Sequence, residues 1–255
     1  MTKDVLLYDF PASICSQMAR LALAEKGVTY RRRIVDIMDR AEQFEPWYTA
    51  LNPQAVVPTL AIGKEIVTDT KAIVRRIDAD FDGPPLTPAD PDQVAAMNET
   101  MDAIMDLHYG VLLYAGRLDE DRKSDTVEAR GKFLRAMRDD HRELADALNA
   151  RIEGNARLRR ILADPAEVGR HVGEARELAE RLNGALAESA FVAGDAYSLA
   201  DTFATAALAR FCIHGFNVWW ADGKMPHLAG YYARMKDRPS FAEAGVVDTG
   251  SERDL

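Results

Sequence analysis

Apolar and polar positions change period twice along the chain. Val5-Leu6-Leu7-Tyr8 is a short apolar run that reads as a strand. Residues 16–26 then follow a helical period that places Met18, Leu21 and Ala22 on one face and stops at Lys26-Gly27. A second strand is predicted over 29–35, parallel to the first because a helix connects the two. Residues 41–50 predict a weaker helix interrupted by Pro46. Thr59–Ile62 and Ile66–Val67 flank Gly63-Lys64 as a hairpin, and Thr68-Asp69-Thr70 opens a helix through Ile73, Val74 and Ile77. The order β-α-β-α-β-β-α predicts a mixed four-stranded sheet with helices packed on it, an α/β unit.

Beyond this unit the period is helical throughout. The stretch 82–91 carries four prolines in ten residues, which neither a helix nor a central strand accepts. The expected organisation is therefore an α/β domain over 1–82, a proline-rich linker over 83–91 and an all-helical domain over 92–255. In the second domain Met97, Met101, Ile104, Met105, His108 and Leu112 form one stripe. Residues 127–152 predict one long charged helix, and 154–165 a break. Val168 to Leu186 forms a regular seam, and 198–214 is so apolar that it predicts a central buried helix. That helix opens on Ser198-Leu199-Ala200-Asp201, a capping-box pattern. Shorter helices follow over 228–236 and from Arg238-Pro239, and the polar tail 248–255 is expected to fray.

Composition narrows the classes of function. The net charge of −9 disfavours a nucleic-acid partner. Arg31-Arg32-Arg33 does not alter this, because alternate residues of a strand face opposite sides. No apolar run is long enough to span a membrane, and the first residues show no signal peptide. Two cysteines far apart form no disulfide framework, so a reducing cytoplasm is expected. The five scattered histidines show no metal-ligand spacing, and no metal is expected.

The stretch from Phe10 to Arg20 holds the most chemistry. It sets Ser13-Ile14-Cys15 where a strand feeds a helix N-terminus. Free N–H groups and the positive end of the helix dipole favour an anion there. A thiolate is such an anion, whether it belongs to Cys15 or to a bound thiol, and the Ser13 hydroxyl would stabilise it. The same residues also read as an N-cap serine and a small buried cysteine.

Taken together, the Ser-x-Cys turn, Val57-Pro58, Asp69-Thr70, the proline-rich linker and the Ser198–Asp201 box resemble the glutathione S-transferase superfamily over nearly the whole chain. Ser13-Ile14-Cys15-Ser16 is similar to the zeta-like branch, which holds tetrachlorohydroquinone reductive dehalogenases and maleylacetoacetate isomerases. The resemblance implies a thioredoxin-like first domain, an all-α second domain, glutathione as cofactor and a homodimer. It also implies that Pro58 is cis and that Val57 offers its main chain to glutathione. Asp69 and Thr70 would hold the γ-glutamyl end. Ser13 would support the glutathione thiolate, and Cys15 would resolve a glutathione conjugate or assist isomerisation. Both pairs have plainer readings, Val57-Pro58 as a trans strand start and Asp69-Thr70 as an ordinary cap. Isomerases of this branch often carry a second serine where this chain has Ile14, which favours the dehalogenase-like pattern.

A planar aromatic electrophile is expected between the first domain and the Met-rich stripe. Tyr109, Tyr114 and Arg117 would offer polar contacts, while His108 reads either as core or as a substrate contact. The leading function is glutathione-dependent transfer to aromatic or quinone-like electrophiles, including reductive dehalogenation or ether cleavage. The alternatives are a glutathione-dependent cis–trans isomerase and a non-catalytic binding protein of the same fold.

Overall fold

The computed structural model describes residues 4–117 and 120–249 and, among these, all side chains except those of 116–125. The first unit is a mixed sheet in the order β2-β1-β3-β4. β1 (Val5–Asp9) is parallel to β2 (Arg31–Ile34) and antiparallel to β3 (Thr59–Ile62), which pairs antiparallel with β4 (Glu65–Val67). β1 and β3 form the buried centre, with Leu7 opposite Leu60, and β2 and β4 are the exposed edges. The three arginines of β2 go to three different partners. Arg31 pairs with Asp4, Arg32 with Asp9, and Arg33 lies 3.6 Å over the Trp47 ring. They form no single basic patch.

Helices α1 (Ile14–Glu25) and α3 (Thr70–Asp80) pack together beside the sheet. The stretch expected as one weak helix is a 3₁₀ turn, Glu42–Phe44, followed by the one-turn helix α2 (Pro46–Thr49). Pro46 starts α2, where its missing N–H costs nothing. Residues 81–90 then lead to α4 (Pro91–Met105). This segment is strapped down: the Leu86 N–H donates to Asp78 and its carbonyl accepts from Leu199.

The second unit continues with α5 (Tyr109–Arg117), α6 (Glu120–Asp140), α7 (Ala145–Leu162), α8 (Pro165–Glu188) and α9 (Leu199–Ile213). It closes with α10 (Val218–Ala221), α11 (Pro226–Lys236) and α12 (Pro239–Glu243). α9 is the buried axis, in contact with α1 and α4. At its start the Ser198 N–H and hydroxyl donate to one oxygen of Asp201 at 2.8 and 2.9 Å. Val192 N–H and the Tyr231 hydroxyl donate to the other at 3.2 and 2.8 Å. One apolar core runs from β1, α1 and α3 into α4, α8, α9 and α11.

Two expectations for this unit are corrected. Residues 127–152 are not one helix: α6 ends at Asp140, a 3₁₀ turn spans Arg142–Leu144, and α7 returns antiparallel. The break carries neither Gly nor Pro, and His141 leaves the helical region at φ −125° and ψ 73°. The expected break at 154–165 shrinks to Ala163-Asp164, because α7 continues past Gly154 to Leu162. The glycine that matters is Gly131, where a Cβ would come within 2.6 Å of Asn155 Oδ1 across the α6–α7 crossing. The α6–α7 hairpin then docks on the first unit through a separate apolar cluster, with Leu134 and Leu148 against Ala41, Phe44 and Ala55.

Candidate active site at the first strand–helix turn

The turn between β1 and α1 is held by buried charge. Asp9, at the end of β1, accepts from Arg20 of α1 and from Arg32. Arg20 passes its guanidinium on to the Pro11 carbonyl at 2.9 Å, and Arg210 of α9 donates to the Ala12 carbonyl. Burial lowers the pKa of both arginines. The Asp9 charge counters this at Arg20, and Arg210 is brought down to about 10, which leaves it cationic at neutral pH. With Phe10 accepting from Ser13 N–H at 3.0 Å, consecutive carbonyls of Phe10-Pro11-Ala12 are all fixed. Sequence reasoning missed Arg210, although a lone cation late in an apolar helix was its signal.

Ser13 caps α1. Its oxygen accepts from Ser16 N–H at 3.3 Å, and its hydroxyl proton has no acceptor among the described residues. Cys15 sits on the first turn, half-buried, and bonds to the Thr70 side chain. Burial raises the Cys15 pKa, and the Asp69 charge adds to it; the Thr70 bond and the Arg210 charge pull the other way without prevailing. Asp69 is exposed and caps α3 by accepting from Ala72 N–H at 2.9 Å, while Thr70 is buried. The start of α3 thus reaches the Cys15 sulfur through the Thr70 side chain and the Asp69 charge, while Ser13 caps α1 two residues earlier.

The Val57–Pro58 peptide is cis. The residue before it is fixed by Tyr48 and Asn52, which donate to the Val56 carbonyl at 2.6 and 2.8 Å. The main-chain N–H and C=O of Val57 have no partner among the described residues. Val57 and Ser13 open on one cleft of about 1180 Å³. Gln43 lines it too, only 4% exposed, with its Oε1 unpartnered among the described residues. That is a cost unless a ligand donates to it. Nothing in the local sequence distinguishes Gln43.

The opposite wall differs from the expected one. Met97, Met101 and Ile104 are fully enclosed in the core against α9, so the methionine stripe does not face the cleft. The helical unit presents Leu113 and Tyr114 from α5, Ala129, Arg130 and Phe133 from α6, and Arg151 from α7. His108 and Tyr109 do not line this cleft. The His108 ring caps α5 by accepting from Val111 N–H at 3.3 Å and lies 5.1 Å from the His171 ring, and burial and then His171 lower its pKa. The Tyr109 hydroxyl donates to the Ile104 carbonyl at 3.0 Å. Burial raises its pKa and the charge of Cys15 raises it further, and Tyr109 is not among the residues that line the cleft. Arg117 ends α5, and its side chain lies outside the described residues.

The family model for the glutathione S-transferase N-terminal domain matches residues 12–80, and that for the C-terminal domain matches 104–239. The tetrachloro-P-hydroquinone reductive dehalogenase of Sphingobium chlorophenolicum is 33% identical over 244 residues, covering 96% of this chain and 96% of that protein. Glutathione S-transferase Z1 of Arabidopsis thaliana is 31% identical over 99 residues, 39% of this chain and 44% of that one. Among solved structures, a beta-etherase from Sphingobium sp. strain SYK-6 superposes with a TM-score of 0.72 at 22% identity, covering 96% of this chain and 98% of that one.

Proposed function

The chain belongs to the glutathione S-transferase family, and from that membership we propose that it transfers the sulfur of glutathione to aromatic or quinone-like electrophiles and, on halogenated substrates, removes the halogen reductively. Glutathione is a substrate here, consumed by the reaction, and it supplies the nucleophilic thiol. The observation that carries the reading is that the Ser13 hydroxyl and the unpartnered main chain of Val57 open on the same large cleft. An extended peptide pairs with such a free edge as an added strand. The buried, unpartnered Gln43 oxygen suits an amide N–H of that peptide, and Asp69 suits its ammonium group. Ser13 has a hydroxyl proton to give to a thiolate at the end of α1, which lowers the thiol's pKa.

Cys15 has a second role in the reductive case. It is protonated in the free enzyme at neutral pH, because its pKa is raised. In the exchange step its sulfur bonds to the glutathione sulfur of the conjugate, the carbon–sulfur bond breaks, and the carbon takes up the Cys15 proton. A second glutathione then attacks the mixed disulfide, restoring the Cys15 thiol and leaving glutathione disulfide. Two thiols are thus spent per halide released. Simple transfer spends one, and a cis–trans isomerase spends none.

The test is to incubate the protein with glutathione and a series of halogenated hydroquinones while following thiol loss and halide release together. Two thiols per halide are expected. Product formation with no net loss of thiol would reject transfer in favour of isomerisation.

A further inference from the structure

The wall that the α6–α7 hairpin lends to the cleft carries two arginines, Arg130 and Arg151. The chain as a whole carries a net charge of −9, yet neither arginine has a carboxylate partner among the described residues. Arg151 is exposed and makes only two long bonds, to the Gln54 and Ala55 carbonyls at 3.3 and 3.4 Å. Arg130 is half-buried, with its guanidinium 5.3 Å from the centre of the Phe133 ring. Asp36 and Asp39 also line the cleft. The Asp36 carboxylate accepts from the N–H groups of Met38 and Asp39, and Asp39 is exposed without reaching either arginine. Arg151 is exposed as a whole residue, yet desolvation of its guanidinium group, like that of Arg130, lowers its pKa, and the charge of Arg130 lowers it further, so the two cations repel each other. Two like charges kept together in a partly desolvated cleft cost energy that an anion between them would offset.

We propose that Arg130 and Arg151 form an anion-recognising subsite for the acceptor, selecting aromatic electrophiles that carry an ionised oxygen, a phenolate or a carboxylate. The proposal rests on the transferase reading and specifies its substrate class. The exposed face of Phe133 supplies the apolar contact that such a ring needs, next to the charges that hold its oxygen. Guanidinium groups suit this role because their planar donors meet carboxylate and phenolate oxygens directly.

The test is calorimetric titration of the whole protein, without turnover, with dinitrophenolate, with its neutral methyl ether dinitroanisole, and separately with glutathione. The wild-type protein should bind the phenolate about tenfold more tightly than the ether, the effect of one charge-assisted hydrogen bond. Arg130→Met and Arg151→Met should each remove most of that preference, and Arg130→Lys should keep part of it. Glutathione affinity should stay unchanged in all three. Equal or absent binding of the two aromatic probes by the wild type would overturn the proposal, as would a preference retained in both methionine variants. A loss confined to glutathione would also overturn it, by assigning the pair to the carboxylate of the tripeptide. Because no step depends on transfer, this result stands or falls separately from thiol consumption.

Discussion

The Cys15 thiol shows how opposing effects are settled by position. A helix N-terminus, Arg210 and the Thr70 hydroxyl all favour a thiolate, yet burial and the Asp69 charge win and the pKa rises. The sign fixes a prediction. A raised pKa means that less thiolate is present at any given pH, so Cys15 should react slowly with iodoacetamide at neutral pH. Its labelling, followed by peptide mass spectrometry, should reach half its maximal rate above the ordinary cysteine range. Asp69→Asn keeps an N-cap while removing the charge, and should move that midpoint down. A midpoint in the wild type below the ordinary cysteine value would show that the helix end, not burial, controls this sulfur. The raised pKa also keeps the anion-favouring end of α1 free for a ligand's thiolate.

Among the elements, α9 holds the two units together. It bears Arg210, which grips the turn before Ser13, and its own start is pinned by Asp201. The Asp201 carboxylate collects four donors in a fully buried position. Burial raises its pKa, and its hydrogen bonds with Ser198, Val192 and Tyr231 oppose the rise. Asp201→Ala would leave those donors unsatisfied and should lower unfolding free energy by about 3 kcal/mol in urea titration. A loss below about 1 kcal/mol would show that the box is incidental to the fold. This capping box was legible in the sequence, as was the turn at Ser13, because both depend on residues three or four apart. The α6–α7 reversal was not legible. No Gly or Pro marks it, and the close approach of Gly131 to Asn155 and the seating of Leu134 and Leu148 on Phe44 are contacts between distant parts of the chain.

At the scale of the molecule, one core passes from the sheet into the helical bundle, while the α6–α7 hairpin rests on a separate small cluster across the cleft. The same split explains what the sequence did and did not disclose about the site. Ser13, Cys15, Val57, Pro58, Asp69 and Thr70 come from turns and caps with local signatures. Arg130 and Arg151 reach the cleft from the hairpin, beside Gln43 from the loop before α2, and the methionine stripe is instead enclosed in the main core against α9; neither outcome has a local signature. The central claim is that Cys15 completes, by thiol exchange, a reaction begun by glutathione at the Ser13 turn. The most direct measurement is product analysis of Cys15→Ser with glutathione and a chlorinated hydroquinone. The account predicts that the variant stops at a released glutathionyl-hydroquinone, while the wild type yields the reduced hydroquinone and carries a glutathione-sized mass on Cys15 when the second thiol is limiting. Fully reduced product from Cys15→Ser at the wild-type rate would contradict it.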